Sequence, residues 1–241
     1  MHRFYGISLP DGQAQLTAED ARHALRVLRM QPGDAAEIIL DESRYLGTII
    51  STDMDCVRFS LNEKLPSTEP CLRITLFQGL PKADKMDWIV QKAVEIGVHR
   101  VIPVEMSRCV THMEPKDQKK KRERWQKIAR EAGKQSGRCV IPEVTLPVSL
   151  SRMLSLASEL DACSVPWAEA RSLSLKAFVT SNPRISSIGI LISPEGGIDE
   201  KEIQLIQSVF HPLTLGPRIL RTETAGLVSA AVLMALYGEM E

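Results

Sequence analysis

The chain has 241 residues, enough for one large domain or two ordinary ones, and carries 44% hydrophobic residues, 5% aromatic residues and no formal net charge. A neutral total excludes a polyanion-binding character spread over the whole molecule. Five scattered cysteines, odd in number and without zinc-like spacing, and five scattered histidines without an HExxH pair speak against a disulfide framework and a metal centre; they suit reduced thiols in a cytoplasmic protein.

The opening stretch, MHRFYGISLPDG, lacks an apolar signal core. FYGISL, AAEIIL, YLGTIIS and CVRFSL are β-rich runs separated by turn residues, and one helix interrupts them. That helix, LTAEDARHALRVLRM, has Thr17 as N-cap with Asp20 three residues on, and Pro32-Gly33-Asp34 ends it. Ala21, Ala24, Leu25 and Leu28 share its apolar face, while Arg22, His23, Arg26 and Arg29 fall largely elsewhere. Short strands with one helix predict a small barrel. Its basic face fits a solvated surface or an RNA contact equally well. NEKLPSTEP, from Asn62 to Pro70, is a polar, proline-containing linker, which sets the predicted domains at 1–68 and 69–241.

Beyond the linker the pattern changes. LRITLFQ predicts a strand, DKMDWIVQKAVEIG a helix ending at Gly97, RVIPVEM a strand and KDQKKKRERWQKIAREAGKQSG a long basic helix. SLSRMLSLA predicts a helix, DACSVP a strand, ARSLSLKAFVTS a helix and SIGILIS a strand. DEKEIQLIQSVF follows as a helix capped by Asp199 with Glu202, then PLTLG as a strand and a terminal helix. Strands alternating with helices predict a mostly parallel sheet covered on both faces. The longest apolar stretch, Ala225 to Tyr237, is interrupted by Gly226 and Ser229 and falls short of the ~20 residues a membrane span needs. Charge is uneven: from Lys82 to Arg138 fifteen lysines and arginines face eight carboxylates. A basic middle of this kind suits a polyanionic partner.

Ligands of open α/β sheets bind outside the carboxyl ends of strands. Two such ends stand out. Ile190-Leu191-Ile192 runs into Ser193-Pro194-Glu195-Gly196-Gly197, and Thr214 to Gly226 reads TLGPRILRTETAG. Each is a strand, a Gly/Pro turn and a helix start, and glycine lets a backbone come close to a ligand. Neither is a P-loop, a GxGxxG fingerprint or a GxSxG elbow. The residues alone therefore leave a ligand loop and an ordinary tight turn both open.

The combination SPEGGIDEKEI, LGPRILRTETA, KADKMDWIVQKAVEIGVHRVIPVEMSRCV and KIAREAGKQSGRCVIPEV, with RFYG…HALRVLRMQPGD near the start, resembles the ribosomal RNA small subunit methyltransferase E family of the SPOUT superfamily. The resemblance covers nearly the whole chain. It departs at Ser193, where the family usually has glycine, and at LDESRYLG, where the family has a glycine-containing turn. It implies an α/β protein with an N-terminal PUA-like β-barrel that handles RNA and a C-terminal SPOUT α/β domain with a deep trefoil knot. It also implies S-adenosylmethionine as methyl donor, N3 of a uridine in 16S rRNA of the 30S subunit as acceptor (position 1498 in the family), a homodimer with the last helix near the contact, and neither metal nor membrane. The apolar face Leu227, Val228, Ala231, Leu233, Met234 and Tyr237 would then serve a partner subunit, the core of its own chain, or both.

Uridine N3 carries a proton and is a poor nucleophile until it loses it. The protein must align N3 with the methyl group, help remove the proton and stabilise charge on the uracil oxygens, with base flipping expected. By the resemblance, Leu215, Gly216, Ile219 and Leu220 shape an adenine pocket, Pro194, Glu195, Gly196 and Gly197 form the opposite wall, and Leu191, Thr224 and Ala225 complete the cofactor set. Arg221 faces the uracil or its phosphate as a fixed cation. Thr222 or Thr224 caps the last helix. Glu223 in its first turn either favours the helix dipole or orients and accepts the proton. Arg108, at a strand end in EMSRC, reaches the substrate crevice or makes a surface salt bridge. Lys82 and Lys85 begin a helix, where cations oppose the dipole, which hints at an anionic partner. Arg3, Arg22, Arg26, Lys82, Lys85 and Arg138 are the expected RNA contacts, and Glu131, Gln135 and Arg138 position either RNA or the loops. KKKRERWQK reads as a solvated helix face in which Trp125 is packed. Two alternatives stand beside this reading: another SPOUT enzyme acting on tRNA or a ribose 2′-oxygen, and an RNA-binding assembly factor with an inactive site. The intact PEGG and LGPRILRTETA loops argue against the second.

Overall fold

The computed structural model describes residues 1–110, 113–170 and 173–240. The chain forms two compact units: Met1–Glu69 with Gly133–Val140, and Pro70–Ala132 with Ile141–Glu241.

In the first unit the strands are β1 (Arg3–Ser8), β2 (Gln13–Leu16), β3 (Ala35–Leu40), β4 (Ser43–Asp53) and β5 (Cys56–Leu65). They close a barrel in the order β1-β2-β5-β4-β3, antiparallel except where β1 meets β3. Alternation along the strands turns Phe4, Ala14, Leu16, Ile38, Ile49 and Phe59 into the core. The barrel answers the prediction, although β2 was not foreseen: QAQL is too short and too polar to read as a strand alone. β5 also runs on to Leu65, so the first four residues of the expected linker are strand. Helix α1 (Ala18–Arg22) starts where Thr17 Oγ1 accepts from the Asp20 N–H, 3.3 Å away, and then widens into a π-helical turn over His23–Val27. Asp20 does not complete a capping box. It is buried and receives Lys134 Nζ at 2.7 Å.

The second unit is a seven-stranded sheet. In chain order come β6 (Arg73–Gly79), α2 (Lys85–Ile96), β7 (Arg100–Glu105), α3 (Pro115–Ser136, its residues from Gly133 on counted with the first unit), β8 (Glu143–Val144), β9 (Val148–Ser149), α4 (Leu150–Ala157), β10 (Ala162–Pro166), α5 (Leu175–Ser181), β11 (Ser187–Ile192), α6 (Glu200–Ile206), β12 (His211–Leu213) and α7 (Thr222–Leu236). The sheet order is β12-β10-β11-β6-β7-β8, with β9 also on β7, and every pair is parallel. Parallel strands covered on both faces read as nearly continuous apolar runs, and six successive residues of β6, Ile74 to Gly79, are buried. The two-residue strands β8 and β9 carry too little pattern to be foreseen.

The helices follow their local chemistry. In α2, Met86, Ile89, Val90, Ala93 and Val94 recur at helical spacing and are buried, and Gly97 stops the helix at φ +108°, where a side chain would be strained. The capping box of Asp199 and Glu202 opens α6. Trp125 of α3 is 2% exposed and belongs to the core. The helix expected over ARSLSLKAFVTS is confined to Leu175–Ser181, and its Arg171 and Ser172 lie outside the described residues. At the far end of the unit, Glu239 accepts the backbone N–H groups of Cys71 and Leu72, both at 2.9 Å, which ties the last residues to the first. Among the described residues no helix is long and apolar enough to cross a membrane, and no cluster of metal-ligating side chains occurs.

Candidate functional site

A cleft of about 1090 Å³ opens at the carboxyl ends of β10, β11 and β12. The loop after β11 supplies one wall, Ser193 to Gly197. The loop after β12 supplies the other, Thr214 to Arg221, and α7 begins at the cleft with Thr222 and Ala225. Pro166, Trp167, Ala168 and Ala170, from the loop after β10, complete the lining.

The glycines have distinct reasons to be there. A Cβ on Gly196 would lie 2.6 Å from the Arg108 carbonyl oxygen, so only glycine lets the two backbones meet. Gly197 and Gly216 adopt φ +76° and +100°, the left-handed region in which an L side chain is strained. Gly79, at the end of β6, faces Pro194: a Cβ there would sit 2.6 Å from its Cδ and 2.7 Å from its nitrogen.

Lys85, in the first turn of α2, spans the mouth. Its Nζ lies 2.8 Å from Glu195 of one wall and 3.1 Å from Glu223 of α7. Burial pushes the Glu195 and Glu223 carboxyls up, but the Lys85 ammonium and nearby backbone N–H groups outweigh it and hold both below the usual carboxylate range. The two carboxylates in turn raise Lys85. The anion that this helix start called for is thus carried by the chain itself. The Lys82 N–H also points at Glu195, 3.2 Å from each carboxylate oxygen.

Thr222 does not cap α7. The N-cap is Arg221, without a side-chain bond, because the Thr222 hydroxyl is turned inward: it donates to the Ser193 carbonyl at 2.6 Å and accepts from Gln78 Nε2 at 2.9 Å. Thr224 is exposed on the helix surface.

Of the residues expected around a cofactor, Pro194, Glu195, Gly196, Gly197, Leu215, Gly216, Ile219, Leu220 and Ala225 line the cleft together with Arg221. Leu191 is instead a core residue with no exposed surface, and its neighbour Ile192 lines the cleft. Arg108 stands behind the glycine loop, half exposed, with Nη1 and Nη2 each 3.5 Å from the Gly196 carbonyl and Asp199. Arg3, Arg22, Arg26 and Arg138 belong to the barrel unit. Arg22 and Arg26 are exposed there. Arg3 pairs with Glu37 at 2.8 Å, and Arg138, 4% exposed, holds Glu69 at 2.7 Å. The expectation that Arg138 meets RNA therefore has no free surface to rest on; its guanidinium is turned inward to order the segment around Glu69.

Sequence reasoning missed Gln78, Gly79 and the Trp167 loop. The signals were available: a glutamine and a glycine closing a mostly apolar strand, and a third parallel strand whose carboxyl end had to face the same side as the other two.

The chain matches the RNA methyltransferase domain family over residues 67–234 and the RNA methyltransferase PUA domain family over residues 16–55. It is 35% identical to the ribosomal RNA small subunit methyltransferase E of Bacillus subtilis over 230 residues, 90% of this chain and 88% of that one. The enzyme of the same name from Buchnera aphidicola is 31% identical over 94% of this chain and 89% of its own. The crystal structure of a ribosomal RNA small subunit methyltransferase E from Neisseria gonorrhoeae, bound to S-adenosyl methionine, superposes with a TM-score of 0.83 at 28% identity, covering all of both chains.

Proposed function

This chain belongs to the ribosomal RNA small subunit methyltransferase E family, and from that premise we propose that it transfers the methyl group of S-adenosylmethionine to N3 of a uridine in 16S rRNA. The observation that carries the reading is the cleft: two glycine-bearing strand ends face each other across a volume suited to a nucleoside-sized ligand, with free cationic side chains at one rim.

The lining fits the cofactor. Leu215, Leu220, Ile192 and Ala225 offer apolar contact to an adenine, and the open backbone at Gly196, Gly197 and Gly216 offers its edge main-chain partners. The bound cofactor supplies a methyl group already activated by its sulfonium. The chain's own work is then positioning and electrostatics. Arg221 and Arg218 are exposed on the cleft wall without an ion-pair partner among the described residues, so their charge is available to the uracil oxygens or a neighbouring phosphate. Arg221 is the charge stabiliser in this reading. Glu223 is held ionised by Lys85 and by its place at a helix start, which makes it a weak proton acceptor. It therefore orients the mouth of the cleft, and the N3 proton leaves to solvent or to another group. Arg108 supports the glycine loop from behind. Arg22 and Arg26, exposed on the barrel unit, are the RNA contacts retained there.

The same reading carries a deep trefoil knot, a homodimer, an assembled 30S subunit as substrate and a cytoplasmic location. The dimer is favoured by α7, whose Val228, Val232 and Leu236, one turn apart, remain 37–40% exposed on a helix that is apolar all round. The deciding experiment is methyl transfer from labelled S-adenosylmethionine to 30S subunits from cells lacking this gene. Label recovered as 3-methyluridine supports the proposal; label in another nucleoside, or none, overturns the assigned substrate.

A further inference from the structure

Gln78 has no exposed surface. It lies on β6 opposite Ile192, the last residue of β11 before the cleft. Its Nε2 donates to the Gly79 carbonyl at 3.0 Å and to Thr222 Oγ1 at 2.9 Å, whereas its Oε1 is buried without a hydrogen-bond partner. A half-satisfied buried amide weakens a core that an apolar side chain of the same length would fill better. Its use must lie at the far end of its hydrogen bonds.

That end is the Ser193–Pro194 peptide. Proline has no N–H, so this peptide can be held only through the Ser193 carbonyl. The Thr222 hydroxyl holds it, at 2.6 Å. A hydroxyl has one proton and rotates to suit its neighbours. The Gln78 N–H occupies its oxygen as a donor, which leaves the single Thr222 proton to go to Ser193. Ser193 opens one wall of the cleft, and Thr222 ends the other.

We infer that Gln78 and Thr222 are positioning residues for the methyl donor: the bond series Gln78 to Thr222 to the Ser193 carbonyl locks the two cleft walls to each other in the cofactor-binding arrangement. The inference rests on the cofactor proposed above. Neither residue needs to touch the reacting atoms.

The test measures S-adenosylmethionine affinity by calorimetry, with thermal melting of the same samples, for wild type, Gln78→Met, Thr222→Val and Thr222→Ser. Wild type must bind; if it does not, the cofactor assignment itself fails. Given binding, Gln78→Met is expected to weaken it about tenfold, in the range of one lost hydrogen bond to a positioned group, while its melting temperature stays level or rises, because a buried unpaired oxygen is gone. Thr222→Val should weaken binding at least as much, and Thr222→Ser, which keeps the hydroxyl, should restore it to near wild type. The double variant Gln78→Met/Thr222→Val should bind no worse than Thr222→Val alone, since both cut one series. Affinity within twofold of wild type in Gln78→Met overturns the inference, as does a loss accompanied by a lowered melting temperature, which would mark Gln78 as merely structural. Should Thr222→Val fail to fold, Gln78→Met and Thr222→Ser still decide.

Discussion

Replacing Gly79 with alanine adds one methyl group at the back of the cleft. The backbone of Gly79 is not in the left-handed region, so alanine brings no dihedral strain. The effect is purely steric. The new Cβ would lie 2.6 Å from Pro194 Cδ, 2.7 Å from its nitrogen and 3.0 Å from the Ile192 carbonyl oxygen. Ordinary carbon contacts lie at about 3.5–4.0 Å, so Pro194 must retreat by about 1 Å, and a ring bonded into the backbone takes its loop along. Overpacking of this kind costs about 1–3 kcal/mol, offset by about 0.4–1 kcal/mol because alanine restricts the unfolded chain. The net, up to about 2.5 kcal/mol, should lower the melting temperature by up to about 10 °C in a chain of this size. The functional loss should be larger, because a 1 Å misplacement in a positioned site costs about 10²-fold in rate. Differential scanning fluorimetry and single-turnover methyl transfer to 30S subunits measure the two effects. A Gly79→Ala protein that melts and reacts like wild type would mean that the β11 loop is not held by its contact with β6, and the packing argument would be lost.

Arg221→Ala should cut methyl transfer at least ~10²-fold, as loss of a preorganised charge stabiliser does, while S-adenosylmethionine binding changes little; near wild-type turnover would remove Arg221 from the mechanism. Lys85→Met should weaken cofactor binding about tenfold by releasing two like-charged carboxylates that it now holds together. Without its ammonium, burial raises both acids, so the variant's binding should change with falling pH earlier than wild type's, as calorimetry at several pH values would reveal. Asp161 accepts from the backbone and hydroxyl groups of Ser186 and Ser187, which lower its pKa to about 2 from the ordinary 3.8. A depressed folded pKa stabilises above the unfolded value and is lost as pH falls through the folded one, so the melting-temperature gap between wild type and Asp161→Asn should be full at pH 6 and close between pH 4 and 2. Trp125→Ala should cost about 3–5 kcal/mol in urea denaturation, the usual range for emptying a buried tryptophan site; a cost under 1 kcal/mol would contradict its place in the core.

Alternation and period carried most of the architecture. The barrel, the parallel sheet and the main helices were legible because each buries a recurring face, and caps such as Asp199 and Gly97 are written in single residues. Of the short strands β12 was legible within PLTLG, whereas β2, β8 and β9 were not, since their pairing comes from neighbours far along the chain. The places of both cleft walls could be read from proline and glycine at strand ends, although the residues alone left an ordinary tight turn open as well. The supports behind those walls could not. Thr222 has the residue type of a cap, and only the third dimension reveals a carbonyl from another loop competing for its proton. Lys85 likewise read as a cation facing an anionic partner; the carboxylates it pairs with lie 110 and 138 residues away along the chain. Arg138 read as an RNA contact or a residue positioning RNA or the loops, whereas it is buried in an ion pair with Glu69.

The order in which the cleft's parts occur along the chain also has a consequence in time. One wall follows β11, the other follows β12, and the helix that locks them is followed by the residues that tie back to Cys71 and Leu72. A ribosome making this protein delivers the barrel strands before either wall, and Thr222 after both. Domains fold in the order they emerge, so the cleft lining is incomplete on a chain that stops before α7, which supplies Thr222 and Ala225. A chain cut there keeps every barrel strand but lacks the end of one cleft wall.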